Sequence, residues 1–346
     1  MRRWSAAHLA CVFALTFTLA ACATEVPARA DLRDAVAVSY KTVRLSAADP
    51  KATRVGQLVF RGGLDIASPD PRFGGWSGLI VSADGTHMLS QSDEAHWLRA
   101  DLVYDAKGNL SAVANAQLAD MLDMSGQTMH KGEGDAEGLA ALTPAGPDGP
   151  VAVSFERDDR VWRYDLTTSL DVRPEPVPMP EAIKTLRYNL GLEGLTMLKP
   201  GALLAVSEDS PDSNGDRKAW LVPYPGADPG VRYGQLGVVT HPPYEISDAA
   251  MGPSRQHVYL LERHYFGPLG GIVIAVRRID ASTVKAGARL GGEEIAKFSL
   301  HENIDNMEGI ALRRSAEGKT YLYMISDDNY NHALQRTLLL MFEVKP

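Results

Sequence analysis

The 346-residue sequence is short of cysteine, with Cys11 and Cys22 as its only two thiols. Two cysteines are too few for a disulfide framework or a thiolate zinc site, so the fold has to be stabilised by packing. Positive charge is also scarce, since 35 Lys and Arg residues stand against 43 Asp and Glu residues and give a formal net charge of -8. Nucleic acids are bound by clustered Lys and Arg, and this excess of acid therefore argues against a nucleic-acid partner.

Long apolar runs are missing as well, apart from one stretch close to the N-terminus. The overall apolar fraction of 45% is nevertheless ordinary for a globular protein and is sufficient for a large core. These values exclude an intrinsically disordered chain and a membrane protein with several spans. The length permits one large domain or two domains of ordinary size.

The first 22 residues have the pattern of an export signal. Arginines at positions 2 and 3 precede an uncharged apolar stretch over residues 9–21, which is too short to span a bilayer comfortably. Residues 19–22, Leu-Ala-Ala-Cys, resemble a bacterial lipobox, in which the cysteine is acylated and becomes the mature N-terminus. The alternative is an ordinary signal peptide that is cleaved nearby.

We therefore divide the chain into a signal peptide with a lipobox over residues 1–22, a tether over 23–50 and one domain over 51–346. Lipid on Cys22 would anchor the protein to a membrane of the bacterial cell envelope. Ala23 in place of Asp favours the outer membrane, with the protein facing the periplasm. The mature chain then keeps no thiol for redox chemistry, nucleophilic catalysis or metal binding.

A short motif recurs along the rest of the chain and divides it into units of similar length. The motif is Glu-Gly-Leu or a variant, and its central residue stands at positions 78, 138, 194, 249 and 309, which are 60, 56, 55 and 60 residues apart. A period of this size indicates a propeller or a solenoid. Each motif leads into an apolar run, a turn and further apolar strands, which is typical of four-stranded propeller blades.

We therefore predict an all-β fold, a β-propeller of five four-stranded blades, with a sixth and more degenerate blade as an alternative. An early strand over residues 55–60 has no blade of its own, and it would supply the missing outer strand of the last blade and close the ring. Few segments have a helical pattern, and residues 111–124 are the best exception.

Acidic residues recur at two places in each unit. One set stands in the repeated motif and comprises Glu137, Glu193, Asp248 and Glu308, with Ser77 in the first unit. The other set ends the second strand and comprises Glu156, Glu208, Glu262 and Asp327, with Asp328 following in the last unit. Equivalent blade positions lie on a ring about the axis, so both sets would converge near one mouth of the channel. Crowded carboxylates repel unless a cation neutralises them, and hard oxygen ligands suit Ca²⁺, with Mg²⁺ or Mn²⁺ as alternatives.

A structural role for the same acids is the competing interpretation. Asp and Glu at strand ends often accept hydrogen bonds from backbone N–H groups of the next blade and so hold the ring together. Arg157 and Arg263 directly follow two of the acids. If the strand ends at that point, the arginines could bind phosphate bidentately; if it continues, they face the other way and bond a neighbouring blade.

Several motifs occur together between residues 55 and 346: Phe60-Arg-Gly-Gly-Leu, Gly75-Trp-Ser-Gly-Leu, Asp135-Ala-Glu-Gly-Leu, Leu192-Glu-Gly-Leu, Asn306-Met-Glu-Gly-Ile and Ser326-Asp-Asp-Asn. In combination they resemble the phytase-like family, also called "esterase-like activity of phytase". The family is similar in architecture to the calcium-dependent β-propeller phytases, whose channel-mouth carboxylates hold Ca²⁺ ions that bind substrate phosphate and activate water. The resemblance implies an acidic, metal-binding centre and phosphoester hydrolysis, and because fold does not fix function the activity has to be argued from the site itself.

The repeats and the resemblance together lead to a set of expected site residues. The expected catalytic carboxylates are Glu156, Glu208, Glu262 and Asp327. The expected metal ligands are Glu137, Glu193, Asp248, Glu308 and Asp328. Arg157 and Arg263 are expected to bind the substrate.

The leading hypothesis is a cell-envelope, metal-dependent phosphoesterase or esterase-like hydrolase that acts on a small phosphoester or ester. The alternatives are a non-catalytic propeller that binds a ligand or a protein, and a lactonase-type hydrolase. The sequence has no Gly-x-Ser-x-Gly motif, which argues against a serine esterase. Residues 212–216 resemble a calcium loop, but Leu221 stands where that loop requires Glu, so we predict a turn there.

Overall fold

A computed structural model describes residues 34–199, 201–224, 231–240, 244–267 and 270–345. Cys22 and the predicted signal peptide lie outside the described residues. Within the described part, no helix is both long enough and apolar enough to cross a bilayer. The secondary structure is nearly all β, and its strands form five sheets in which all neighbours but one pair are antiparallel.

Three strands precede the first blade. They are β1 (Ser39–Thr42), β2 (Arg54–Val55) and β3 (Leu58–Ala67). Both β1 and β2 pair with β3, and residue 35 forms a further β-bridge to residue 117. Residues from 34 onward, for which the sequence predicted a tether as far as residue 50, are therefore partly paired into the folded domain.

The first two blades each contain four strands in sequence order. Blade 1 consists of β4 (Trp76–Val81), β5 (His87–Ser92), β6 (His96–Tyr104) and β7 (Leu110–Asp120). A one-turn helix, α1 (Lys131–Gly134), leads into the next blade. Blade 2 consists of β8 (Ala136–Ala141), β9 (Pro150–Phe155), β10 (Arg160–Asp165) and β11 (Glu175–Val177).

Blades 3 and 4 are joined by an extra strand. Blade 3 consists of β12 (Leu192–Lys199), β13 (Ala202–Pro211), β14 (Arg217–Pro223) and β15 (Gly234–Val238). Blade 4 begins with β16 (Glu245–Met251), β17 (His257–Tyr265) and β18 (Ile272–Asp280). The chain then adds β19 (Arg289–Leu290), which pairs in parallel with β15 of blade 3, before β20 (Glu293–Phe298) completes blade 4. Short 3₁₀ turns lie at Gly146–Asp148, Glu181–Thr185 and Ala281–Thr283.

Blade 5 closes the ring with strands from both ends of the domain. It consists of β21 (Asn306–Arg314), β22 (Thr320–Asp327) and β23 (Thr337–Val344), and β3 pairs antiparallel with β23 as its fourth strand. The predicted five-bladed propeller with N-terminal closure is therefore confirmed.

The apolar core is divided into five layers, and each layer lies between two neighbouring blades. Large aromatic side chains such as Trp76, Trp97 and Tyr164 are fully buried in these layers. The first strands of the blades, β4, β8, β12, β16 and β21, contact one another in turn around the axis. Burial between blades thus orients every first strand toward the axis.

The helix predicted over residues 111–124 is wrong, because residues 110–120 form β7. This segment contains four alanines between positions 112 and 119, which favour helix in isolation. Pairing with β6 over most of its length, and burial of Leu110, Val113, Ala116 and Leu118 against the neighbouring blade, override that local preference.

Candidate functional site

The repeated motif forms a β-bulge near the start of each first strand. The residue preceding the bulge pairs with the second strand, the next residue is unpaired, and pairing then resumes, which in blade 2 happens one residue later, at Leu139. We call the five bulge residues the bulge ring: Ser77, Glu137, Glu193, Ser247 and Glu308. Gly138 shows why glycine follows in the motif, because a Cβ there would lie 2.4 Å from the backbone oxygen of Glu193 on the next blade.

A second ring is formed by residues at or near the ends of the second strands. In each blade, the first-strand residue just before the bulge pairs with a residue of the second strand. The next residue along the second strand belongs to this ring. We call these residues the strand-end ring: Asp93, Glu156, Glu208, Arg263 and Asp327. The backbone of the strand-end ring remains tied to the strands, since the Glu156 and Glu208 N–H groups donate to the carbonyls of Asp135 and Gly191.

Blade 4 departs from the predicted alignment by one residue. Ile246 pairs with Glu262, and pairing resumes between Asp248 and Leu261. Ser247 therefore takes the bulge position and Arg263 the strand-end position. The expectation that Asp248 and Glu262 belong to the two rings is wrong, and an arginine replaces the fifth strand-end carboxylate.

Members of both rings line one cavity of about 180 Å³, which we call the acidic cavity. Among the described residues that line it, eight carry carboxylates: Asp93, Asp135, Glu137, Glu156, Glu193, Glu208, Glu308 and Asp327. The other lining side chains are Lys131, Arg263, Asn189 and Asn329. The cavity thus gathers eight acids around two bases.

Lys131 neutralises one side of the acidic cavity. Its Nζ contacts Asp93 closely and lies 3.7 Å from Asp135. Asp135 is also paired with Arg157, whose Nε lies 2.7 Å from a carboxylate oxygen. Arg157 does not line the cavity, so the structure places this expected substrate ligand behind Asp135.

Arg263 neutralises the opposite side. Its guanidinium lies 2.5 Å from Glu308 and 3.0 Å from Glu208, and it also donates to the side-chain oxygen of Asn306 at 2.7 Å. Since Glu208 belongs to blade 3 and Glu308 to blade 5, Arg263 of blade 4 links the carboxylates on both sides of it.

Two bulge-ring carboxylates are buried without such partners. Glu137 is 8% exposed and Glu193 is 5% exposed, and neither side chain has a hydrogen bond or ion pair to any described residue. Both line the acidic cavity. A buried carboxylate without a partner is costly in its charged form, so these two residues require either a proton or a cation.

Burial raises the pKa of most carboxyls in the cavity. It raises the pKa of Glu156 and Glu208 to about 7, and the pKa of Asp327 to about 8, with Glu308 and Asp93 adding repulsion at Asp327. Burial also raises the pKa of Glu137 and Glu193 well above its ordinary value, and neighbouring carboxylates raise it further. A bound cation would reverse these effects.

The cavity residues fit a divalent metal ion. Oxygens of Asp135, Glu137 and Glu156 lie within 4.8 Å of one another, and so do oxygens of Glu156, Glu193 and Glu208. Every member of the two groups is a buried carboxylate, which is the hard oxygen ligand that Ca²⁺, Mg²⁺ and Mn²⁺ prefer. Glu156 is common to both groups.

Glu262 and Asp248 have structural contacts instead. The carboxylate of Glu262 forms a two-pronged pair with Arg277 of the neighbouring strand, with distances of 2.7 and 3.1 Å. Asp248 accepts hydrogen bonds from the backbone N–H groups of Ala249 and Ile310, both within 2.8 Å. The bond to Ile310 connects blade 4 to blade 5. Asp248 therefore has the structural role that was the competing interpretation of these acids.

Asp328 likewise holds two blades together. Its carboxylate accepts from the N–H of Gly75 at 3.2 Å and from the hydroxyl of Thr337 at 2.9 Å. It does not belong to the lining of the acidic cavity. The loop at 212–216 is a turn, as predicted, and Asp216 within it pairs with Arg289.

Three contributing residues were missing from the expected site. Asp93 stands at a strand end as predicted for that set, and Asp135 precedes the second Glu-Gly-Leu motif, so the repeat could have identified both. Lys131 follows no repeat, because it lies on α1 in the connection that leads into blade 2. Its position was not evident from the sequence.

A second cavity of about 370 Å³ adjoins the acidic cavity, and we call it the side cleft. Its lining consists of Pro71, Asp93, Glu94, His96, Lys131, Asn329 and Tyr330. Asp93, Lys131 and Asn329 line both cavities. The side cleft thus offers a larger and less acidic space directly beside the carboxylates.

Comparison with known proteins agrees with this geometry. The family described as "Phytase-like: Esterase-like activity of phytase" matches residues 71–330, which is well over half of the chain. The chain belongs to the phytase-like family. This assignment covers all five blades apart from the strands that close the ring, and it includes every residue of the acidic cavity. No curated protein matches the sequence.

Several solved structures are distantly similar to this phytase-like chain. A phage phi92 endosialidase is 10% identical over 90% of this chain and 58% of its own, with a TM-score of 0.39. The WD40 repeats of RRP9 are 10% identical over 87% of this chain and 100% of their own, with a TM-score of 0.38. A chain of the mitotic checkpoint complex is 11% identical over 96% of this chain and 100% of its own, with a TM-score of 0.37.

Proposed function

We propose that this phytase-like protein is a divalent-cation-dependent phosphoesterase that acts at the acidic cavity. The observation that carries the proposal is the pair of buried, unpartnered carboxylates, Glu137 and Glu193, among eight acids in one cavity. Structural acids in the same propeller, such as Asp248 and Asp328, have their partners within the fold. The two glutamates lack such partners, so an external cation is the simplest source of the missing charge.

Glu137, Glu156, Glu193 and Glu208 are the residues that would hold the ion, with Asp135 beside them. When bound, the ion would supply Lewis-acid stabilisation of a phosphate group and activation of water. We propose Ca²⁺ as the ion, since an irregular set of carboxylates suits its flexible coordination better than the strict octahedron of Mg²⁺. Mn²⁺ and Mg²⁺ are the alternatives.

The substrate would be divided between the two cavities. The acidic cavity, at about 180 Å³, is smaller than most small-molecule sites and suits a phosphate group rather than a whole substrate. The side cleft, at about 370 Å³, would hold the remainder of the phosphoester. Lys131 lies at the boundary, where an ammonium group favours the approach of an anionic group and orients it.

The test combines metal analysis with a substrate panel. Purified protein is expected to bind Ca²⁺ and to release phosphate from a phosphoester, and the release should stop on chelation. Glu208→Gln should lose most of the activity, because the ligand set loses a charge, whereas the exposed Glu181→Gln should behave as wild type. Asp327→Asn, at another residue that lines the same cavity, should also lose activity.

Two other outcomes correspond to the competing functions. Acid formation from lactones without phosphate release would replace the proposal with a lactonase-type hydrolase. Absence of divalent-ion binding together with absence of turnover would leave a ligand-binding propeller whose acids are structural.

We also propose that the protein is a lipoprotein of the cell envelope, anchored through Cys22 to the outer membrane and facing the periplasm. The support is the lipobox-like sequence at residues 19–22. Mass spectrometry of the mature N-terminus should find acylated cysteine. A Cys22→Ser variant should move from the membrane fraction to the soluble fraction, and a wild-type protein without lipid would contradict the proposal.

A further inference from the structure

Arg263 is the one strand-end residue of the five blades that is not a carboxylate. Asp93, Glu156, Glu208 and Asp327 occupy the equivalent positions in the other blades. The register of blade 4 leaves no ambiguity, since Glu262 pairs with Ile246 and its carboxylate is bonded to Arg277. Blade 4 therefore carries positive charge where its neighbours carry negative charge.

The position of Arg263 matches that of a bridging cation. Its two terminal nitrogens contact Glu208 at 3.0 Å and Glu308 at 2.5 Å, so one positive group joins carboxylates from two other blades. Asn306 reinforces the arrangement by donating to Glu308 at 2.7 Å and accepting from Arg263. These are the contacts that a divalent ion would make if it lay on this side of the cavity.

The two unpartnered carboxylates lie on the other side. Glu137 and Glu193 belong to blades 2 and 3, and both tight groups of three acids lie on these two blades or in the loop before them. Among the described residues, Asp93, Glu308 and Asp327 belong to no such group. Arg263 thus compensates Glu208 and Glu308, and Lys131 and Arg157 compensate Asp93 and Asp135. Glu137 and Glu193, on blades 2 and 3, have no hydrogen bond or ion pair to a described residue.

We propose that Arg263 substitutes for a metal ion, and that it restricts divalent-ion binding to the blade 2 and 3 side of the acidic cavity. The inference rests on the proposed metal dependence, and it concerns how many ions bind rather than whether they act. Guanidinium suits this role because it is permanently charged and its planar fork can contact two carboxylates at once.

The experiment measures the number of Ca²⁺ ions bound per chain by equilibrium dialysis at neutral pH, with Ca²⁺ as the only added ligand. Arg263→Gln removes the charge, and the variant should bind about one more ion per chain than wild type, because Glu208 and Glu308 lose their counter-charge. Arg263→Lys keeps the charge and should bind the wild-type number. Arg289→Gln removes an arginine from a carboxylate pair outside the cavity, with Asp216, and should also leave the number unchanged.

An unchanged number of ions in Arg263→Gln would overturn the inference, as would an extra ion in Arg263→Lys. If Arg263→Gln does not fold in the absence of cations, refolding it across a Ca²⁺ series gives the same answer, since recovery should require Ca²⁺ only in this variant. If the refolded Arg263→Gln variant binds more ions than wild type, the inference is supported. If it refolds without Ca²⁺ and binds the wild-type number of ions, the inference is contradicted.

Failure of this inference is distinguishable from failure of the proposed function. If wild type binds Ca²⁺ and hydrolyses phosphoesters while Arg263→Gln binds no further ion, the function stands and the role of Arg263 does not. If wild type binds no ion and has no activity, the function fails. A gain of one ion in Arg263→Gln would still show that the arginine occupies a cation position.

Discussion

Glu193 is the residue at which stability and function are expected to oppose each other most directly. Its carboxylate is buried, lines the acidic cavity and has no hydrogen bond or ion pair to a described residue. Enzymes commonly retain such unfavourable groups where a ligand supplies the missing interaction. The same residue should therefore destabilise the metal-free protein and stabilise the loaded one.

At alkaline pH, where Glu193 would have to ionise, replacing it with Gln should raise the unfolding free energy of the metal-free protein by about 1–3 kcal/mol, because the variant places no charge at this buried position. The stabilisation that Ca²⁺ gives to wild type should shrink in the variant. Urea unfolding with and without Ca²⁺ measures both effects. The exposed Glu181→Gln is the matched control, and equal Ca²⁺ stabilisation of the Glu193 variant and wild type would contradict the prediction.

The metal-free protein should become less stable as pH rises from about 4 to about 8. Burial raises the pKa of Glu156 and Glu208 to about 7 and that of Asp327 to about 8, so the folded state binds more protons than the unfolded chain in this window. Stability is then fully present below the ordinary carboxyl pKa and is lost as pH passes the raised values. One independent group would contribute about 1.4 kcal/mol per pH unit.

The measurement is urea unfolding in a chelator at pH 5.5 and at pH 8. Saturating Ca²⁺ should flatten the dependence, because the ion favours the charged carboxylates. Stability that increases with pH in the chelator would contradict the prediction.

The sequence repeats predicted most of the residues that line the acidic cavity, but they misaligned blade 4 by one residue. Glu262 and Arg263 are adjacent, and either could follow the pattern of the other blades. The choice depends on a single unpaired residue at Ser247, and a shift of one residue exchanges the two faces of a strand. Local sequence does not encode that choice, since it is decided by pairing across the blade and by the buried partner Arg277.

The first strands are the elements that set the width of the channel. Their bulges turn Glu137, Glu193 and Glu308 toward the axis, and the glycine that follows allows the next blade to approach closely. At Gly138 an added Cβ would meet the backbone oxygen of Glu193 at 2.4 Å and the hydroxyl of Ser154 at 2.6 Å. Backbone cannot move aside as a flexible side chain can.

Gly138→Ala should therefore destabilise the protein by about 1–3 kcal/mol through overpacking. It should also weaken Ca²⁺ binding, because the clash moves the strand that carries Glu193. Gly291→Ala is the control, since a Cβ at that position meets no atom within 4 Å, and it should change stability by less than about 0.5 kcal/mol. Equal stability of the two variants in thermal unfolding would contradict the prediction that the packing of Gly138 against Glu193 leaves no room for a Cβ.

Strand identity was predictable from the sequence where blades repeat, and it failed at β7. The strands of blades 2, 3 and 5 follow apolar runs separated by turns, which the pattern captures directly. The alanine-rich β7 has no such run, and its structure is imposed by β6 on one edge and by contacts with blade 5 on its face. Tertiary pairing of this kind is not contained in the propensity of the segment.

At the scale of the whole molecule, β3 makes the ring a closed structure. Val59 and Glu343 are register partners in β3 and β23, although they are separated by more than 280 residues in sequence. The five-bladed ring and its closure were predictable, because a regular sequence repeat indicates the architecture even where individual strands are ambiguous. Lys131 and the side cleft were not predictable, because they belong to a connection outside the repeat.

A disulfide between Val59→Cys and Glu343→Cys should stabilise the oxidised protein by on the order of 2–4 kcal/mol, because it closes a very long loop. The same double variant after reduction is the reference, so the cost of the substitutions cancels. A bridge between Thr320→Cys and Val344→Cys within blade 5 is the control. Its stabilisation should be smaller than that of the first bridge by about 2 kcal/mol, because the loop it closes is much shorter. Equal unfolding midpoints for oxidised and reduced protein would contradict closure by β3.

Closure by β3 and β23 also fixes the order in which the molecule can be assembled. The carboxylates assigned to the cation, Glu137 to Glu208, come from one continuous stretch and can meet as soon as blades 2 and 3 have formed. Glu308 and Asp327 arrive only with the last blade, whose sheet needs β23 beside a strand that was synthesised first. A chain emerging from a ribosome or an export channel would therefore carry six of the eight acids of the cavity before it has a ring. Ions available at that stage would meet an open site whose internal counter-charge, Arg263, has not yet been placed opposite Glu308.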